Sequence, residues 1–487
     1  MNKPWNRGDR DTANRARYHV VRSASLIRGA FLLKGFLLVF LVFPAFFSTE
    51  IPAAAEDNTL KIAMKTRIDT LAPSRSTTRE TFIMCHHWAD TLVYRDPKLG
   101  NLMPCLAESY RLLGKEGIEF KLRKGIKFHN GEPLNAGAVK ASFDFLRNID
   151  LLPSRPYSHL KEIIVLDDYT LRIKSESTNR IALEAIASVL FIYPPDYLSE
   201  VGQEGLGKHP VGTGPYRFVS WKEPGEILFE KNPDYFGGPK GKPVIPYLKI
   251  LIIPEELLRI EALLNGKVDL IRGGSVSPDQ IPFLSRVPHL KLESAETMRM
   301  FFLVMDAFGR SGTGYFKDRR VRRAVNHAID REAIVNKVLG GHARATNALT
   351  TPFHFAHEKD VTRYSYDPEK AKKLIAEAGY PDGFTVDFFF TRDESVAEAI
   401  VAYLNEVGIK TILHFKDKWR ELYQEMIAGN TPLVFVASGG YSIPDASAIL
   451  DLYFPLKSPR CFGSTREIDT LLATAAASND DTIRKES

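Results

Sequence analysis

Cysteine is scarce in this chain, with only Cys85, Cys105 and Cys461 among 487 residues. So low and odd a count leaves room for one disulfide but excludes a fold that depends on a disulfide framework. Each thiol reads as a small buried hydrophobe rather than a nucleophile. The common catalytic motifs are missing as well: there is no G-x-S-x-G elbow and no H-E-x-x-H pair. Gly212-Thr213-Gly214-Pro215 lacks the Lys-Ser/Thr of a phosphate loop and the third glycine of a dinucleotide fingerprint, so it reads as a tight structural turn. No activated nucleophile or paired acid and base can be placed, and no enzyme or cofactor is expected.

A charge surplus is missing too, once its source is located. The formal net charge is +6, but eight basic and three acidic residues lie in the first 55. The remaining 57 basic and 56 acidic groups nearly cancel, which removes the basis for a nucleic-acid footprint. The leader that holds the surplus is itself informative. Basic residues run to Lys34, an apolar stretch covers Gly35 to Phe47, and Ala53-Ala54-Ala55 precedes Glu56. This is the pattern of a secretory signal cut after Ala55, too short for a comfortable membrane span. An uncleaved anchor extended by Ala30 to Leu33 is the alternative. The expected location is the periplasm.

What is abundant is ordinary globular material, 44% hydrophobic and 25% charged, enough for two to four domains. Leu60 to Met64 reads as a strand. Leu248 to Ile253, a helix at Glu255 to Leu264 closed by Gly266, and Val268 to Ile271 form one βαβ-like unit. A second series follows: a helix capped by Asp367-Pro368 and closed by Gly379, strand 384–390, helix 394–407, strand 409–415, a helix around 422–428 and strand 433–437. Between them, strands at 110–112, 118–122, 163–166 and 170–173 and a helix at 136–146 suggest a smaller inserted domain. The expected architecture is α/β, two lobes with an extra small α+β domain. The boundaries are signal peptide 1–55, lobe I 56–94 and 211–298, insertion 95–210, and lobe II 299–487.

Ligands of open α/β sheets bind beyond the carboxyl ends of strands. Those ends carry Lys65 and Arg67, Arg272 before two glycines, Thr391-Arg392, and Ser438-Gly439-Gly440-Tyr441. Arg67, Arg272 and Arg392 are candidates for pairing an anionic group; Gly439 and Gly440 would serve as backbone donors, and Tyr441 and Trp419 as walls. Cys85-His86-His87 is the most metal-like cluster, yet neighbours on a helix or strand point in different directions, so Cys85 and His86 are assigned to the ligand wall and no metal is expected. His354 and His357 lie in a loop and carry no stronger case.

Several stretches resemble one family, the family 5 extracellular solute-binding proteins of bacterial ABC importers, the peptide- and nickel-binding group. They are Leu106 to Tyr110, Phe120 to Gly131, Val211 to Tyr216, Lys231 to Phe236, Gly266 to Asp269, Asp318 to Asp330 and Tyr366 to Gly379, spread in family order along the chain. The resemblance implies a periplasmic-binding-protein type II-like fold that closes on a solute by hinge motion and delivers it to inner-membrane permease subunits. Two departures stand out. Aligned on Pro444-Asp445, Gly440 takes the place of an Asp that anchors the peptide amino group in dipeptide-type relatives. The family also usually runs on past the equivalent of Ser487, so the return to lobe I reads as truncated.

The expected function is capture of a small polar organic solute, peptide-like, opine or sugar conjugate, by a monomer without nucleic-acid partners. A metal-chelate receptor using Cys85 or His86, a secreted hydrolase and a sensor subunit remain as alternatives.

Overall fold

Residues 58–73, 79–96, 100–147, 160–176, 179–223, 225–391, 393–439 and 443–487 are described by the computed structural model. The signal segment, Arg392, Gly440 and Tyr441 lie outside the described residues. Strand β1 (Thr59–Met64) is followed by helix α1 (Arg79–Trp88), then β2 (Val93–Arg95), β3 (Leu102–Pro104), β4 (Ala107–Leu112), β5 (Ile118–Leu122), α2 (Ala136–Arg147), β6 (Leu160–Asp167), β7 (Thr170–Ser175), α3 (Asn179–Val189) and α4 (Pro195–Lys208). The chain continues through β8 (Tyr216–Lys222), β9 (Glu226–Lys231), β10 (Tyr247–Ile252), α5 (Glu256–Leu264) and β11 (Leu270–Ile271). The last stretch holds β12 (Met300–Met305), α6 (Arg319–Ala328), α7 (Pro368–Glu377), β13 (Phe384–Phe390), α8 (Glu394–Glu406), β14 (Ile409–Phe415), α9 (Trp419–Ala428), β15 (Leu433–Ser438), α10 (Ser447–Tyr453), α11 (Arg466–Ala477) and α12 (Asp481–Glu486).

Among the described residues these strands form a five-stranded sheet in the order β11-β1-β10-β9-β8, a four-stranded sheet β4-β5-β7-β6, a four-stranded sheet β12-β15-β13-β14 and the β2-β3 hairpin. In the first sheet β1 runs parallel to both β10 and β11, while β9 is antiparallel. Its core gathers Met64, Trp88, Tyr193 and Phe229. The second sheet is wholly antiparallel and shares a core with α2 and α3 through Phe120, Phe143, Ile173 and Ile186. In the third, β13 is parallel to β14 and β15, and β12 is antiparallel to β15. Alternation along β13 feeds two cores. Phe388 and Phe390 face the side of α6, α7 and α8; Phe389 faces α9 and α10. Burial on both faces at its end explains the apolar run Phe388 to Phe390.

Local signals act where their chemistry requires. Asp318 caps α6 by accepting from the Arg320 amide at 2.7 Å, and Val321, Ala324, Val325 and Ala328 form its buried stripe. Asp367 caps α7 in the same way through Lys370, with Pro368 at the first position. The turn at Gly212 and Gly214 is forced by close approach: a β-carbon on Gly214 would sit 2.4 Å from the Trp88 carbonyl carbon. Strand β11 is shorter than its sequence suggests, because the Val268 amide instead bonds the Ala262 carbonyl at the end of α5.

Candidate ligand-binding cleft

At the first sheet, β1, β10 and β11 all end on one edge. Arg272 follows β11 directly, and its guanidinium lies 3.2 Å from the Glu80 carboxylate, both side chains about four-fifths buried. Glu80 sits in the first turn of α1, where the helix dipole favours an anion. Arg259 makes this edge rigid. It is buried and donates to the Ser275, Ile253 and Pro254 carbonyls, tying the ends of β10 and β11 together. Arg67 shares the edge but is exposed, with Asp69 at 3.9 Å.

The third sheet presents a second such edge, where β13, β14 and β15 end and the antiparallel β12 begins. Arg299, the residue before β12, pairs with Asp393 at 2.5 Å and lies over the Phe301 ring. Asp393 caps α8 with a left-handed backbone, φ 57°, an uncommon and costly conformation for a residue with a side chain. Gly439 follows β15 beside Arg299, at ordinary van der Waals spacing even for an added β-carbon. Trp419 opens α9 but packs into the lobe. Its ring contacts Tyr423, and the buried Arg460 guanidinium lies 5.4 Å from it.

Two sequence candidates go elsewhere. Helix α1 runs back from the strand ends, so its last turn lies at the amino end of β1. The Cys85 thiol is buried there and donates to the Leu71 carbonyl; burial pushes its pKa well up. Its neighbour His86 faces a different cavity of about 560 Å³, with His87, Tyr94, Asp96, Met103, Pro215, Pro239 and Lys240. Cys85 and His86 therefore do not line the edge that carries Arg67 and Arg272. Burial, with Lys240 nearby, holds His86 well below its ordinary pKa and lowers His87 to about 4. Beside them, fully buried Asp90 pairs with Lys240 at 2.7 Å and accepts from Thr213 and Tyr235. Lys240 uses its other donors on the His86 and Ala89 carbonyls. Asp90 and Lys240 are thus fully bonded within the protein, while the buried His86 Nδ1 has no hydrogen-bond partner among the described residues.

The remaining cluster is also occupied internally: His357 pairs with the Thr350 hydroxyl and His354 with Thr351. Among the described residues no group of three His, Cys, Asp or Glu side chains converges as a metal site would, and all three cysteines are free and buried. Sequence reasoning missed Arg299 and Glu80. Counting only the carboxyl ends of strands overlooks the start of an antiparallel strand and the helix turn facing the same edge.

Residues 101–458 match the model of the bacterial extracellular solute-binding proteins, family 5. The chain belongs to this family. It is accordingly a solute-binding protein of an ABC importer, built on the two-lobed type II-like fold with the small additional domain. Its relatives include heme-binding protein A of Haemophilus influenzae, 29% identical over 64% of this chain and 61% of that protein. The glutathione-binding protein GsiB of Salmonella choleraesuis is 27% identical over 79% of this chain and 76% of its own length. Among solved structures, the periplasmic binding protein DppA of Helicobacter pylori, in complex with the peptide STSA, superposes with a TM-score of 0.77 at 25% identity, covering 89% of this chain and 90% of DppA. Among the described residues no helix is long and apolar enough to cross a membrane.

Proposed function

We propose that this protein works in the periplasm, after export by its leader, and captures a small solute carrying a carboxylate and an ammonium group between the two strand-end edges. Peptide-like compounds come first, with opines and acidic sugar conjugates in the same chemical range. The observation that carries this reading is one partly exposed Arg–carboxylate pair on each lobe, Arg272 with Glu80 and Arg299 with Asp393. A solute carboxylate can take either arginine in bidentate geometry while its ammonium meets the released acid. The partly exposed Arg299–Asp393 pair contributes little to folding, so exchanging it costs little, while the more buried Arg272–Glu80 pair must be replaced by equally full pairing with the solute. Closure then excludes water and strengthens the new contacts. Arg67, Arg392, Gly439, Gly440 and Tyr441 complete the proposed rim, and the closed monomer delivers its solute to the permease without turnover. The names of GsiB and of the DppA complex support the peptide-like class. The separation of Cys85 from His86 weighs against a metal-chelate receptor.

The test is a thermal-shift screen with dipeptides, glutathione, opine-type and acidic sugar conjugates, hemin, and nickel with and without histidine. Ligand binding to the folded state raises the melting temperature by mass action. A shift with zwitterionic or acidic organic solutes, lost in Arg272→Ala and Arg299→Ala, is expected. A shift confined to hemin or nickel would overturn the reading.

A further inference from the structure

Arg180 of the inserted domain meets lobe II with an unusual set of partners. Arg180 lies in the first turn of α3, whose Ala182, Leu183 and Ile186 are anchored in the core of the inserted domain. Its guanidinium reaches out to lobe II. Nε lies 3.7 Å from Asp445 Oδ2 and Nη1 3.6 Å from Asp481 Oδ2, and the group sits 4.4 Å from the centre of the Phe355 ring.

These partners form a prepared receiver. Phe355 is stitched to the segment after β15 by its amide bonding the Pro444 carbonyl and its carbonyl accepting from Ala446. Asp445 is buried and held by Arg484 of α12 in two hydrogen bonds of 2.8 and 2.9 Å. Arg484 and Lys485 also lie over the Phe355 ring. The receiver therefore exists without Arg180. Asp445 follows the last residue of β15 by seven positions and pairs with Phe355 in an isolated bridge.

We propose that Arg180 is the latch by which the inserted domain holds lobe II in the closed position. The idea rests on the interlobe cleft of the preceding section but not on the identity of the solute. Because Arg180 and its acceptors belong to separately packed cores, opening the lobes breaks these contacts and no others within either core. A contact present in one state only shifts the open–closed equilibrium by its whole strength. The strength is modest, since the side chain is 43% exposed, and it is electrostatic, so salt screens it. Arg180 is thus a positioning residue: it acts on solute affinity through closure.

The experiment is single-molecule energy transfer on solute-free protein purified after export. The native cysteines are buried, so dyes can be placed at Lys174→Cys in the inserted domain and Lys373→Cys in lobe II. The expected result is a closed population that falls about three- to tenfold in Arg180→Ala, the range of one exposed ion pair plus a cation–π contact. Raising salt from about 20 mM to about 1 M should lower the closed population of the unsubstituted protein and leave Arg180→Ala unmoved. Arg180→Lys should restore part of the effect and Asp481→Asn remove part of it. An unchanged population in Arg180→Ala, or an equal salt response in both proteins, would overturn the latch. Because no solute is added, that failure is distinct from a failure of the cleft to bind.

Discussion

The two ends of the first sheet treat their charged pairs differently. At the amino end, Asp90 is fully buried and takes Lys240, Thr213 and Tyr235, while two histidines are kept neutral by burial. At the carboxyl end, Arg272 pairs with Glu80, and Arg67 stands in solvent. The buried Asp90–Lys240 pair holds the scaffold, while the pairs at the carboxyl end are the ones proposed to meet the solute. Lobe II repeats the second pattern with Arg299 and Asp393.

Breaking the locked end should give the largest effect. Lys240→Met leaves Asp90 buried without its cation, and loss of one partner of such a pair costs about 3–5 kcal/mol. Denaturant unfolding should show that loss, while the folded fraction keeps its solute affinity. Acid should act at the same end. Burial lowers His87 and His129 to about 4, so between pH 6.5 and 4 the unfolded chain binds more protons than the folded one. Their contribution is fully present above pH 6.5 and is lost as pH falls towards 4, on the order of 1–3 kcal/mol per histidine. His87→Gln should flatten that slope. Asp451 opposes it, since burial and nearby Asp445 raise it to about 6 and the folded state then gains on acidification from pH 6 to 4. Asp451→Asn should therefore make the acid loss steeper.

At the open end the order of effects should invert. Arg299→Ala should change unfolding free energy by no more than about 1 kcal/mol and Arg272→Ala, whose pair with Glu80 is mostly buried, by about 1–3 kcal/mol, yet each should weaken solute binding at least about tenfold. The smallest change is expected for Arg67→Ala, within about 0.5 kcal/mol in stability. A titration of that variant would show whether the residue reaches the solute.

The sequence was most legible where local and tertiary demands coincide. Strands Phe384–Phe390 and Ile409–Phe415 and the capped helix Pro368–Glu377 follow directly from apolar runs, Asp367 and Gly379. The site was legible only in part. Rules about strand ends located Arg272, because a parallel strand places its next residue at the edge. They passed over Arg299, whose strand runs the other way, and Glu80, which reaches the edge from a helix. His86 was assigned to the ligand wall from the Cys85-His86-His87 cluster, whereas the returning direction of α1 carries that last turn to the opposite end of β1. Partner choice among charged side chains depends on contacts between residues far apart in the chain, 192 positions for Arg272 and Glu80. No local pattern encodes that.

The most direct test is a calorimetric titration of the best solute from the screen against Arg299→Ala and His86→Ala. Arg299→Ala should lose at least about tenfold in affinity, about 1.4 kcal/mol, while His86→Ala binds as the unsubstituted protein does. Loss of binding in His86→Ala with normal binding in Arg299→Ala would place the solute at the amino end of the first sheet and contradict the assignment of the cleft.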